Sequence, residues 1–222
     1  MIGEFKRPLS LVEATMNGIR SSIINGKLSL GQQITEYYLQ KTFGYSKTPI
    51  REALALLKAE GLVVSEVHKG FRVFEMDKKE LSEFCEFRLA LESQALRSAY
   101  NNKRLELARE LKYFIKDFKE SIKNNDFVKY NITDTKFHKS FFILSSNRYL
   151  IKNYENINGI IESIRTRTGA TIVENYKLIE SINGHISIQK HIEEKNLNLA
   201  LDELDKHINS WHDDRIIKSR LI

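Results

Sequence analysis

The chain has 222 residues, 41% hydrophobic and 29% charged, a balance that excludes the disordered and fibrous classes and suits one or two globular domains. Its single cysteine, Cys85, excludes an internal disulfide framework or a multi-cysteine zinc or iron–sulfur cluster within one chain, and agrees with a reducing compartment. Lys plus Arg exceed Asp plus Glu by 35 to 29, and the resulting +6 permits polyanion binding without showing it.

The N-terminal stretch Met1 to Ser10 lacks a secretion signal's long apolar run, and nowhere do about 18 consecutive apolar residues occur. The expectation is a soluble, cytoplasmic protein with no membrane partner. Prolines are only Pro8 and Pro49, so the breaks in pattern are informative. Leu9 to Ile24 repeats apolar residues near the 3.6 period and stops at Asn25-Gly26, which predicts a first helix. Ile34 to Thr42 reads as a short second helix ended by Phe43-Gly44. A third begins after Tyr45-Ser46, with Pro49 in its first turn and Ser46 or Thr48 as cap, and stops at Gly61. Two β-rich runs, Leu62 to Ser65 and Phe71 to Phe74, read as a hairpin. Three helices and a hairpin make a winged helix-turn-helix.

Beyond Met76-Asp77 the period changes from 2 to 3.6, which places a domain boundary there: residues 1–76 form a DNA-binding domain and 77–222 a second one. Six helices are predicted in the second, at Lys78–Tyr100, Arg104–Asn124, Phe127–Ser145, Tyr149–Arg167, Tyr176–Lys195 and Leu197–Lys218. The fold class is mainly α, a winged helix-turn-helix followed by an all-helical bundle.

In a helix-turn-helix the second helix of the pair enters the major groove with its N-terminal residues against base edges, while a wing reaches the backbone or minor groove. Tyr37 to Arg51 contains Lys41, Lys47 and Arg51 and no acidic residue, a local basic face for a phosphate backbone. Ser46, Lys47, Thr48 and Arg51 open the proposed recognition helix, and Lys69 and Gly70 sit at the wing tip. Tyr37 and Tyr45 are expected to be half-buried packing aromatics. The run from Gly31 to Val63, with its Ser46-Lys47-Thr48-Pro49-Ile50-Arg51-Glu52-Ala53-Leu54 core and Glu60-Gly61-Leu62 stop, followed by Lys69-Gly70, resembles the winged helix of the GntR family of bacterial transcription regulators. That family usually carries Arg at the place of Lys47, and a lysine keeps the charge without the bidentate fork. The resemblance implies a dimer that binds a palindromic operator in double-stranded DNA.

Asp134 and His138 are four apart, on one helical face, and His185 and His207 lie on two other predicted helices. One carboxylate and three imidazoles are a sound ligand set for Zn, Ni, Fe or Mn, with a position left for water or an anion. Spacing leaves open the plainer reading in which each histidine packs with its own hydrogen bond. The segment from Asp134 through His138 to Ser146-Asn147, with Gly184-His185 and Lys206-His207-Ile208, looks like the metal-binding pattern of the FCD effector domain in the FadR-like subfamily. Six helices are closer to its shorter, VanR-like form. The resemblance implies a divalent metal at Asp134, His138, His185 and His207, and a small carboxylate effector received by the metal and nearby polar residues. Arg88 matches an arginine that the family often points into the effector cavity; alternatively it pairs with Glu92 one turn on. Asn147 belongs to the same pattern, and Arg165 and Arg167 are weaker candidates for the arginine's job. Two further readings are a regulator for which the metal itself is the signal and a metalloenzyme, the latter lacking an identifiable general base.

Overall fold

The computed structural model describes residues 9–66, 70–171 and 175–212, and the chain divides into two compact units, Met1–Glu75 and Met76–Ile222. In the first unit Ser10 and Glu13 form a reciprocal capping box that starts α1, Leu11–Ile24. Its buried face, Thr15, Ile19 and Ile23, packs against α3, Lys47–Ala59, which buries Ile50, Ala53, Leu54 and Leu57. The Arg20 guanidinium bonds Glu60 just past the end of α3 and ties the two helices at their far ends. Between them lies α2, Glu36–Phe43, ended by Gly44 in the left-handed conformation.

The second helix does not begin at Ile34 as its hydropathy suggests. Gln33–Ile34 is a short strand, β1, paired antiparallel with β3, Gly70–Val73, so that Ile34 opposes Phe71. Thr35 then caps α2, its hydroxyl accepting the Tyr38 amide at 3.1 Å. A strand of two residues is too short to display a period, and only the β3 edge makes it one. The hairpin of β2, Val63–Glu66, and β3 stands as expected, giving a sheet of order β1-β3-β2. Ser46 occupies the N-cap position of α3 without a side-chain cap bond, which leaves its hydroxyl exposed.

The second unit is helical throughout its described part. Asp77 and Glu80 form a second capping box at the head of α4, Lys78–Lys123, which runs 46 residues. The break expected at Asn101-Asn102 falls at Lys103, whose φ of −145° and ψ of 41° leave the helical region and divide α4 into two helical stretches, close to the two predicted. There follow α5, Phe127–Ser145, α6, Arg148–Thr171, α7, Asn175–Glu193, and α8, Leu197–Asn209, closed by a single 3-10 turn at Ser210–His212. Residues 213–218 of the last predicted helix lie outside the described residues. α5 lies along α4, α7 pairs with α8, and α6 packs on α5. The core between them holds Leu111, Phe118, Phe137, Phe141, Ile188 and Leu204, all fully buried.

Candidate metal centre and nucleic-acid interface

Asp134 and His138 project from one face of α5, His185 from α7 and His207 from α8, and the four offer ligand atoms that lie within 4.8 Å of one another. The shortest separations are 3.3 Å between Nε2 of His138 and Nε2 of His185, and 3.4 Å from His185 Nε2 to Asp134 Oδ2. His138 Nε2 lies 3.7 Å from Asp134 Oδ1. Gly184 makes room for this gathering: a Cβ there would meet His207 Nδ1 at 3.0 Å. Burial pushes the pKa of all three histidines well below the ordinary value, and each neighbouring imidazole adds to the effect at His185 and His207. Neutral imidazole is the form that donates a lone pair to a metal. The donor set of one carboxylate and three neutral imidazoles therefore fits a divalent Zn, Ni, Fe or Mn ion, as the residue types suggest.

Glu92 organises this centre from behind. Its Oε1 accepts Arg88 Nε–H and its Oε2 accepts His138 Nδ1–H, both at 2.6 Å and both fully buried. A carboxylate can only accept, so the proton sits on Nδ1 and the Nε2 lone pair faces the cluster. Of the two readings of Arg88, the pairing with Glu92 is the one observed. The Arg88 guanidinium lies 4.5 Å above the Trp211 ring, and its Nη2 has no hydrogen-bond partner among the described residues. Arg165 also reaches the centre, through Asp134: Nη2 lies 2.5 Å from Asp134 Oδ1, and Nη1 donates to Thr135 Oγ1 at 2.7 Å. It fixes the Asp134 carboxylate in place. Arg167 instead turns back onto its own helix and donates to the Ser163 carbonyl at 3.0 Å.

Asn147 does not join them. Its side chain is exposed and caps α6, accepting the Tyr149 and Leu150 amides at 3.0 and 3.3 Å. An asparagine just before a helix is drawn to that role because the first helical N–H groups have no partner in the helix itself. Two buried polar groups of the second unit escaped the sequence reading. Glu92 was legible as a partner for Arg88 four residues away, but its bond to His138 spans 46 positions and has no local signature. Tyr154, 1% exposed on α6, carries a hydroxyl whose site is visible only in three dimensions.

In the first unit Ser46, Lys47, Thr48 and Arg51 are all exposed at the head of α3. The face is not purely basic. Glu36, one residue outside the acid-free run, binds Arg51 Nε at 2.7 Å and Lys47 Nζ at 3.3 Å. Burial opposes its ionisation, but hydrogen bonds from Arg51 and Lys47 prevail and hold its carboxyl below the ordinary value. Tyr37 is 74% exposed on α2 rather than packed, while Tyr45 stacks on Phe43 with ring centroids 6.3 Å apart. Gly70 has φ +88° at the start of β3, a conformation suited to glycine in the turn. Lys69 lies outside the described residues.

A winged helix with an exposed basic helix head, followed in the same chain by a helical bundle that gathers one aspartate and three histidines, defines the class of helix-turn-helix transcription regulators. Comparison with known proteins places the chain within that class. Residues 11–73 match the gntR family of bacterial regulatory proteins, and residues 83–210 match the FCD domain. The uncharacterised HTH-type transcriptional regulator YdhC of Bacillus subtilis strain 168 is 27% identical over 206 residues, 91% of this chain and 88% of YdhC. The gluconate operon transcriptional repressor of Bacillus licheniformis is 28% identical over 193 residues, 86% of this chain and 79% of the repressor. A GntR regulator from Rhodococcus sp. RHA1 superimposes with a TM-score of 0.75 at 16% identity, over 95% of this chain and 99% of that one, which shows the shared fold. The chain belongs to the GntR family of transcription regulators, with an FCD domain of FadR-like architecture. Its matched relatives carry regulator and repressor names, and it is a regulator rather than a metalloenzyme. No described helix is long and apolar enough to cross a membrane.

Proposed function

We propose that the chain is a cytoplasmic, homodimeric regulator whose residues 1–76 bind a palindromic operator and whose residues 77–222 sense a small organic carboxylate at a divalent metal. The observation that carries this reading is the buried cluster of Asp134, His138, His185 and His207. A divalent ion held by one carboxylate and three neutral imidazoles keeps a net positive charge, and in a buried place that charge calls for an anion. Arg88, with a buried N–H left over from Glu92, stands ready for the same anion. On the DNA side Ser46, Lys47, Thr48 and Arg51 read the groove and backbone, with Lys69 and Gly70 at the wing. The relative named for a gluconate operon makes sugar acids the first effectors to try. Acid binding regulates only if it favours one of two states of different operator affinity, a coupling typically of about 5- to 150-fold.

The test starts from a pool of random DNA duplexes. Wild-type protein loaded with zinc or nickel should enrich one palindromic sequence at physiological salt, and an acid that raises its melting temperature should change its affinity for that sequence. A pool that stays random after selection would refute the operator reading. Wild-type protein that retains no metal after dialysis, and takes none up in calorimetry, would refute the metal reading.

A further inference from the structure

Beside the ligand cluster, α6 presents a tyrosine that packing alone does not explain. The Tyr154 ring stacks on Phe142 with centroids 4.1 Å apart and planes 21° apart, so phenylalanine would fill the same space. Its hydroxyl is buried and has no hydrogen-bond partner among the described residues, an arrangement that costs free energy in a protein interior. Phe142 stands one helical turn past His138 on α5, which sets the tyrosine beside the ligand cluster, and the charges of Glu92, Arg165, Arg88 and Asp134 all act on its hydroxyl. Arg88 Nη2 is a second buried donor left over, on a side chain that Glu92 links to His138.

We infer that Tyr154 is an effector-binding residue, its hydroxyl and Arg88 Nη2 forming a pair of donors that captures the carboxylate of the effector. This rests on the carboxylate reading and adds to it a specific contact. Two buried donors without partners call for a ligand rich in acceptors, and a carboxylate supplies lone pairs for both while offsetting the positive charge of a loaded metal site. Burial pushes the phenol pKa upward, so the group stays protonated and donates rather than repelling the acid as a phenolate. A donor pair of this kind discriminates: a site whose hydroxyl must be matched rejects a ligand that cannot accept from it.

The experiment compares wild type with Tyr154→Phe, both full-length and loaded with zinc, by thermal shift and calorimetry against acetate, lactate, gluconate, succinate, malate and citrate. The acid that stabilises wild type most should bind the variant at least 10-fold more weakly, with zinc affinity unchanged. Without acid, the variant should melt no lower than wild type, because it loses only an unpartnered hydroxyl. Equal affinity of both proteins for that acid would overturn the role of Tyr154 while leaving the carboxylate reading in place. A variant that melts several degrees lower in the absence of acid would show that the hydroxyl has an internal partner and would overturn it as well. Failure of every acid to shift wild type would remove the carboxylate reading and this inference together, while the enrichment of operator DNA would still stand or fall separately.

Discussion

Glu92 contributes to the centre without offering it a ligand atom. By accepting the Nδ1 proton of His138 it selects the tautomer whose Nε2 lone pair faces Asp134 and His185. Replacing Glu92 with glutamine keeps the shape but loses the charged acceptor, and should weaken zinc or nickel binding by about 10- to 100-fold in calorimetry. The three histidines, two of them fully buried, also set a pH dependence. Their folded pKa values lie below that of the unfolded chain, so at pH values under about 6.5 the unfolded chain takes up protons that the folded one refuses. Stability of the metal-free protein should therefore be unaffected by these groups above pH 7 and fall as pH drops below 6.5. The slope should reach about 1.4 kcal/mol per pH unit for each histidine that titrates only on unfolding. Denaturant titrations at pH 7.5, 6.5 and 5.5 measure it, and a flat profile would show that the cluster is hydrated enough to protonate in place.

Two helix heads meet where the DNA-facing chemistry is concentrated. Thr35 starts α2 with Glu36 in its first turn, and Glu36 then reaches across to Lys47 and Arg51 in the opening turns of α3. A carboxylate among cations holds their side chains in place and subtracts from the positive potential that phosphates meet. Glu36→Gln should raise affinity for random duplex DNA several-fold, steepen its salt dependence, and lower the ratio of operator to random binding, all measurable by fluorescence anisotropy between 50 and 200 mM salt. Unchanged random-DNA affinity would mean that DNA displaces Glu36 at no cost. The acid-free stretch from Tyr37 to Arg51 was legible as a string of letters, but its electrostatic partner stood one residue before it and turned back only because the α2 and α3 heads pack together. The helices of both units were legible for a simpler reason: each carries its own periodic apolar face and stop residues, as at Gly44, where local backbone chemistry decides.

Across the helical unit a bound metal would cross-link α5, α7 and α8, of which α5 and α7 are also tied by the Tyr130 hydroxyl donating to Ser181 Oγ at 2.8 Å. Dialysis against a chelator should lower the melting temperature, and zinc at about 100 times its dissociation constant should restore about 2.7 kcal/mol. His138→Ala should abolish the restoration; if zinc stabilises that variant as well, the metal binds elsewhere. Composition and periodicity sufficed to name the winged helix and the helical bundle, because each depends on residues within a few turns of one another, whereas the four candidate ligands came from resemblance to a family pattern, spacing alone leaving a separate packing role open to each histidine. Which groups share a buried volume is different in kind. The bonds of Glu92 to His138, of Arg165 to Asp134 and of Glu36 to Arg51, the pairing of Ile34 with Phe71, and the unmatched hydroxyl of Tyr154 were decided by tertiary structure. Hydrogen bonds and electrostatic pairs act over a few ångströms, and sequence distance carries no information about that separation until the chain has folded.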